Sequence, residues 1–321
     1  MASKDLSTKT NSNAHHFPPV VAVLGHVDHG KTTLLDAIRK TSVADAEKGG
    51  ITQKIGASSV EIVHEGQKRK ITFIDTPGHE AFTKMRGRGA QAADIGLLII
   101  SLADSVKPQT KESIKILQES KTPFIVVLTK ADLPDTFPDK SKKDLGKEGI
   151  AVEGYGGDIP VMEVSAKTGS NIKELLDLIL LMFDMHKAPE YAKDVSSAGP
   201  LQAIVIEAKL DPRAGSKATV VVKNGQLTPR DTVKIDDQVF KIRMLLDEKG
   251  NNLTTATIGD AVELFGFEKV PQVGSIVTHE SEITTPSTQA EAQKPLSKVV
   301  EYKREEEHAG LSVILIADTQ G

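Results

Sequence analysis

The chain has 321 residues, more than one ordinary core organises, so two domains and a piece of a third are expected. Hydrophobic residues at 39% and charged residues at 26% exclude a mostly disordered chain, and the lack of cysteine excludes disulfide scaffolds, Cys-based zinc sites, iron–sulfur clusters and thiol catalysis. A net charge of −4 advertises no nucleic-acid binding beyond a local basic face, and the lack of Trp with only 4% aromatic residues argues against broad base-stacking platforms.

Residues 1–17 are rich in Ser, Thr, Asn and Lys and read as a disordered tail with no apolar targeting segment. His15 and His16 belong to that solvated tail. No apolar run reaches the roughly 20 residues of a membrane helix, so a soluble cytoplasmic chain without membrane contact is expected. From 18 to 186, apolar runs at 20–24, 71–74, 95–102, 124–128 and 161–164 alternate with helical periods at 32–40, 80–91, 109–120 and 171–185. Near-continuous apolar strands alternating with helices predict an α/β, mostly parallel, doubly wound sheet with its ligand beyond the strands' carboxyl ends. Residues 187–200 carry Pro189, Gly199 and Pro200 and read as a linker. Residues 201–280 predict a small antiparallel β-barrel, with β-rich runs at 201–208, 217–223, 231–235, 239–245 and 261–265. The turn signals between those runs are Asp211-Pro212, Asn224-Gly225, Asp236-Asp237, Gly250-Asn251 and Ile258-Gly259. A second linker is expected at 281–296. Residues 297–321 are expected to open a third, truncated domain through an apolar strand at 311–317, whose other reading is a terminal strand pairing with the barrel.

Four segments carry chemistry. Gly25-His26-Val27-Asp28-His29-Gly30-Lys31-Thr32 fits a phosphate loop between a predicted strand and helix. Its backbone N–H groups wrap phosphates, Lys31 reaches the β- and γ-phosphates and the Thr32 hydroxyl ligates Mg²⁺. Asp75-Thr76-Pro77-Gly78-His79 ends the ITFID run, with Asp75 holding Mg²⁺ through water and the Gly78 N–H meeting the γ-phosphate. Thr129-Lys130-Ala131-Asp132 places a carboxylate for guanine N1–H and the 2-amino group, selecting GTP over ATP, with the Lys130 stem over the base. In Ser165-Ala166-Lys167 a backbone N–H meets guanine O6. Asp28, His29, Gly30, Lys31, Thr32, Thr33, Gly78, Thr129, Lys130, Asp132, Ser165, Ala166 and Lys167 form the expected nucleotide-binding set for GTP and GDP.

These motifs resemble those of the translational GTPases. The run 49–57 (GGITQKIGA), the stretch 82–94 (FTKMRGRGAQAAD) and 106–110 (VKPQT) are similar to the initiation factor 2 family in particular, as are 201–278 and 311–321. The resemblance implies that Thr52 caps Mg²⁺ and the γ-phosphate, giving an expected metal set of Thr32, Thr52 and Asp75. It implies that His79 is the catalytic residue positioning the attacking water, that Val27 and Ile51 gate it, and that Asp28 helps hold a monovalent cation. It further implies a monomeric GTPase stimulated by the ribosome, through its large subunit and ribosomal RNA. Initiator tRNA would be a partner only of a form carrying the family's final barrel. His26 and His29 read as structural or solvated. Lys84 to Arg88 reads equally as a solvated helix face or a ribosomal RNA contact. Thr129 stands where the family usually has Asn; a hydroxyl can donate to guanine N7 and tie its loop to the phosphate loop, so base choice should be unchanged. A selenocysteine-specific elongation factor and a nucleotide-dependent binding module with little turnover are the alternatives. The short first switch argues against the one, and intact Lys31, Thr32, Thr52, Asp75 and His79 against the other.

Overall fold

The computed structural model describes residues 17–41, 56–75, 93–186, 196–211, 215–280 and 319–320. Thr52, Ile51, Gly78, His79, the expected helix at 80–91, the 281–296 linker and the strand at 311–317 lie outside the described residues.

The first half is a six-stranded sheet in the order β2-β3-β1-β4-β5-β6. Its strands are β1 (Val20–Gly25), β2 (Ala57–His64), β3 (Gln67–Ile74), β4 (Ile95–Ser101), β5 (Phe124–Thr129) and β6 (Val161–Glu163). All neighbours are parallel except β2 and β3, which form an antiparallel hairpin. The α/β expectation therefore holds, with one added edge strand. β2 is absent from the sequence reading because its buried positions Ala57, Ser58, Val60 and Ile62 include a serine and only two large apolar side chains.

Side chains of β1 alternate between two cores, as the period of two requires. Val21 and Val23 face α1 (Lys31–Thr41) and the helix Ile172–His186, while Ala22 and Leu24 face the other layer. That second layer holds α2 (Pro108–Ser120) and α3 (Pro138–Lys147); Ile172–His186 is then α4. In α4, Ile172, Leu175, Leu176, Ile179, Leu180 and Phe183 are buried at the three-and-four spacing of one helix face. α3 is an addition to the expected helices: PDKSKKDLGK buries only Ser141 and Leu145, too few apolar positions to show a period. Phe17, placed in the tail by composition, packs half-buried against the first core.

The second half is an antiparallel curled sheet. Its strands are β7 (Gln202–Asp211), β8 (Gly215–Asn224), β9 (Thr232–Ile235), β10 (Gln238–Lys241), β11 (Met244–Leu246), β12 (Ala261–Phe267) and β13 (Ile276–His279). They run in the order β10-β9-β13-β7-β8-β12-β11. β10 and β11 stand at opposite ends of that order yet are separated by only Ile242 and Arg243. The Ile242 N–H donates to Asp231 O and the Arg243 N–H to Phe265 O, so one continuous run of chain joins both ends of the curl. The run 239–245, expected as one strand, is therefore split, and β13 is an addition to the expected set. β14 (Thr319–Gln320) pairs antiparallel with β7.

The two halves share a core. Val20, Ala57 and Ile74 of the α/β sheet cluster with Ile204, Ile206, Val221, Ala261 and Val273 of the curled sheet. Polar contacts ring this cluster: Lys223 Nζ lies 2.7 Å from Asp94 Oδ1, the Thr72 hydroxyl donates to Gly259 O at 2.5 Å, and Lys70 pairs with Asp260. The Glu248 carboxylate accepts the N–H of Ser59 on edge strand β2 at 2.6 Å, covering an exposed backbone donor. Burial pushes the Glu248 carboxyl above its ordinary range.

Candidate functional site

Parallel alignment of β1, β3, β4, β5 and β6 brings Gly25, Asp75, Ser101, Thr129 and the loop after Glu163 to one edge of the sheet. The strand order reverses beside β1, which is where open α/β sheets form their crevice.

The loop 25–30 joins β1 to α1 and is built by backbone conformations that local sequence permits. Asp28 has φ 66° and Gly30 φ 84°, left-handed conformations of the kind that can turn successive N–H groups toward an anion. Gly25 is required by contact: a Cβ there would sit 2.4 Å from Ile99 O, with φ 149°. The Lys31 ammonium donates to Gly25 O and His26 O, each at 2.7 Å. Burial lowers the Lys31 pKa, and Asp75 and Asp28 oppose that shift. Thr32 and Thr33 are exposed on the first turn of α1, and Val27 is 56% exposed. The Val27 N–H donates to Gln109 Oε1 at 2.9 Å, a contact the residue pattern of 106–110 could not reveal.

His29 is fully buried, with Nδ1 3.3 Å from Ile99 O and its ring edge-on to His26 at 5.1 Å. Burial lowers its pKa from 6.5 to about 4. The residue is thus a buried, neutral imidazole, and its backbone carbonyl accepts the Thr129 hydroxyl at 2.6 Å. Protonation then favours the unfolded chain, because the folded pKa lies below the unfolded one. The stability present above pH 6.5 should fall as pH drops toward 4, by at most about 3 kcal/mol from this group. Urea midpoints at pH 7 and pH 5 check this: His29→Gln should remove part of the acid loss seen in the parent chain, and an identical pH dependence in both would contradict the assignment.

Asp75 closes β3 with its N–H on Gly56 O at 2.8 Å. Burial raises its carboxyl pKa despite Arg39 and Lys31 nearby. The described residues contain no cluster of three or more His, Cys, Asp or Glu suited to a metal. The Thr32 hydroxyl and the Asp75 carboxylate are hard oxygen donors of the kind Mg²⁺ takes, its other positions being filled by water and phosphate oxygens.

In the third segment the Ser165 hydroxyl donates to Asp132 Oδ1 at 2.7 Å, and this hydrogen bond holds the exposed carboxyl below its ordinary range. The sequence assigns Ser165 only a backbone role; the orienting hydroxyl emerges from two loops meeting across β5 and β6. The Ser165 N–H itself is taken by Ser170 O at 3.2 Å. Lys130 adopts φ 61°, and its Nζ lies 3.6 Å from Asp104. Buried Thr129 donates its hydroxyl to His29 O at 2.6 Å, joining this loop to the phosphate loop.

No described helix is long and apolar enough to cross a membrane.

Comparison with known proteins matches residues 18–185 to the Elongation factor Tu GTP binding domain family and residues 200–280 to the Elongation factor G domain 2 family. Translation initiation factor IF-2 of Carboxydothermus hydrogenoformans is 44% identical over 301 residues, covering 94% of this chain and 35% of that protein. The factor of the same name from Chloroflexus aurantiacus is 47% identical over 260 residues, covering 81% of this chain and 34% of that one. The chain spans 23–38% of the length of the curated relatives it matches. Among solved structures, GDP-bound aIF5B from Aeropyrum pernix has a TM-score of 0.68 at 29% identity, over 82% of this chain and 54% of that chain. Apo SelB from Methanococcus maripaludis shares the fold, with a TM-score of 0.59 at 22% identity over 82% of this chain and 55% of that one. With a match over 18–185, more than half of its length, the chain belongs to the Elongation factor Tu GTP binding domain family.

Proposed function

We propose that this chain binds GTP and GDP with Mg²⁺, hydrolyses GTP, and serves as the GTPase part of a translation initiation factor stimulated by the ribosome. The observation that carries the reading is the joining of a base reader to a phosphate cradle: Ser165 orients Asp132, and Thr129 ties the same loop to His29 O. Asp132 accepts the guanine N1–H and 2-amino protons, and the Lys130 stem lies over the base. Because Ser165 N–H is already engaged, the amide for O6 is that of Ala166 or Lys167. At the phosphate end, Lys31 exchanges the Gly25 and His26 carbonyls for phosphate oxygens, so its charge is held ready in the loop. Thr32 and Asp75 would hold Mg²⁺, with Thr52 completing the set in the GTP state. When bound, that ion neutralises charge developing between the β- and γ-phosphates. In this reading His79 would position the attacking water, the Gly78 N–H would contact the γ-phosphate, Val27 and Ile51 would gate the histidine, and Asp28 would help hold a monovalent cation. Catalysis of this type is positioning plus charge stabilisation, which suits control by an outside partner.

The domains are assigned as 18–186 and 201–280, joined by 187–200, with 281–296 leading to a further unit at 297–321. Several relatives carry the name translation initiation factor IF-2, which supports the ribosomal reading. Single-turnover GTP hydrolysis with and without large ribosomal subunits tests it. Stimulation is expected, and His79→Ala should lower the stimulated rate by about a hundredfold or more while nucleotide binding is retained. Hydrolysis indifferent to the subunits would instead favour a nucleotide-dependent binding module.

A further inference from the structure

Thr129 occupies an unusual position among the hydrogen bonds of the site. It ends β5 and is 3% exposed. Its hydroxyl has two neighbours, His29 O at 2.6 Å and Ile100 O at 3.3 Å. Both are carbonyls and can only accept. A hydroxyl owns one proton, and here that proton lies on the short bond to His29 O. Guanine N7 is also an acceptor. Reading it requires a donor, and Thr129 has none left to offer. A carboxamide at the same position would bring two N–H protons and could serve a loop carbonyl and N7 together.

The bond to His29 O has a second consequence. In a trans peptide the N–H points opposite to the preceding C=O. Holding the His29 carbonyl toward Thr129 therefore aims the Gly30 N–H away from β5. Gly30 itself lies close to this latch, a Cβ built there coming 3.8 Å from Thr129 Oγ1. The hydroxyl thus sets the orientation of a phosphate-loop donor from a residue 100 positions away.

We propose that Thr129 is a latch that positions the phosphate loop and leaves N7 unread, so that this chain recognises guanine only through its Watson–Crick edge. This rests on the reading of the site as a guanine nucleotide site. Asp132 supplies the edge contact and Thr129 acts through His29, as a positioning residue.

The test compares GDP with 7-deaza-GDP, in which a C–H replaces N7, by calorimetric titration of the full chain. The parent chain should bind both within about twofold, since no hydrogen bond is lost. Thr129→Asn should gain a preference for GDP of about five- to tenfold, the size of one added hydrogen bond. Thr129→Val should weaken both nucleotides equally, leaving their ratio near one, and Thr129→Ser should restore parent affinity and ratio. A parent chain that loses about fivefold or more on 7-deaza-GDP overturns the latch. An Asn variant as blind to N7 as the parent overturns the proton-count account. ADP and XDP are run alongside: failure to select GDP over them sinks the guanine reading itself, whereas selection of GDP with a penalty on 7-deaza-GDP sinks only this inference.

Discussion

Asp132→Asn should invert the base preference of the site from guanine to xanthine. The carboxylate offers two acceptors to the N1–H and 2-amino donors of guanine. An amide offers one acceptor and one donor, which opposes the 2-amino group but matches the 2-carbonyl of xanthine. Mispairing one donor and losing one charge-assisted bond together should shift relative affinity by roughly two to three orders of magnitude. Because the Ser165 hydroxyl can donate to an amide oxygen as it does to Asp132 Oδ1, the loop should keep its geometry in the variant. Competition binding of GDP against XDP measures the inversion, and an unchanged preference for GDP would refute the assignment of Asp132 as base reader.

Gly25→Ala should be the most damaging small substitution in the phosphate loop. A Cβ at this position meets Ile99 O at 2.4 Å and Ile99 Cβ at 3.1 Å, both on β4, the central strand paired to β1. Neither can withdraw without separating two buried strands, and φ 149° adds backbone strain. A cost of about 3 kcal/mol or more is expected. Gly66→Ala is the control. Gly66 lies in the β2–β3 turn at φ 77° with nothing within 4 Å of a new Cβ, so its cost should stay near about 1 kcal/mol. Urea unfolding midpoints separate the two cases, and equal midpoints for both variants would show that the approach to Ile99 is not limiting.

The legible parts of the fold share a physical character. VVAVLG, IGLLIIS and FIVVLT are buried on both faces of a sheet, so their continuous hydrophobicity identifies them without any partner. α4 shows its period because one whole face is buried. α3 and β2 escape the same reading because each lies at a margin, where a few apolar contacts suffice and the local pattern stays weak. Turn chemistry is readable at Asn224-Gly225, Asp236-Asp237 and Ile258-Gly259, where Gly225, Asp236 and Gly259 all adopt positive φ.

Sequence alone determined the strand–loop–helix at 20–41, the order of the chemical motifs with each at the end of a strand, and the change to β-rich structure after residue 200. Each depends on side chains within a few positions of one another, where spacing and backbone preference act directly. The tertiary structure decided what holds those motifs in register. Ser165 meets Asp132 across 33 positions, Gln109 meets Val27 across 82, and Thr129 meets His29 across 100. The same holds for the shared core of Val20, Ile74, Ile204 and Val221, and for the burial that keeps His29 neutral. A hydrogen bond needs its partners within about 3 Å, and which distant residues meet that condition follows from the alignment of strand ends, which no local pattern encodes.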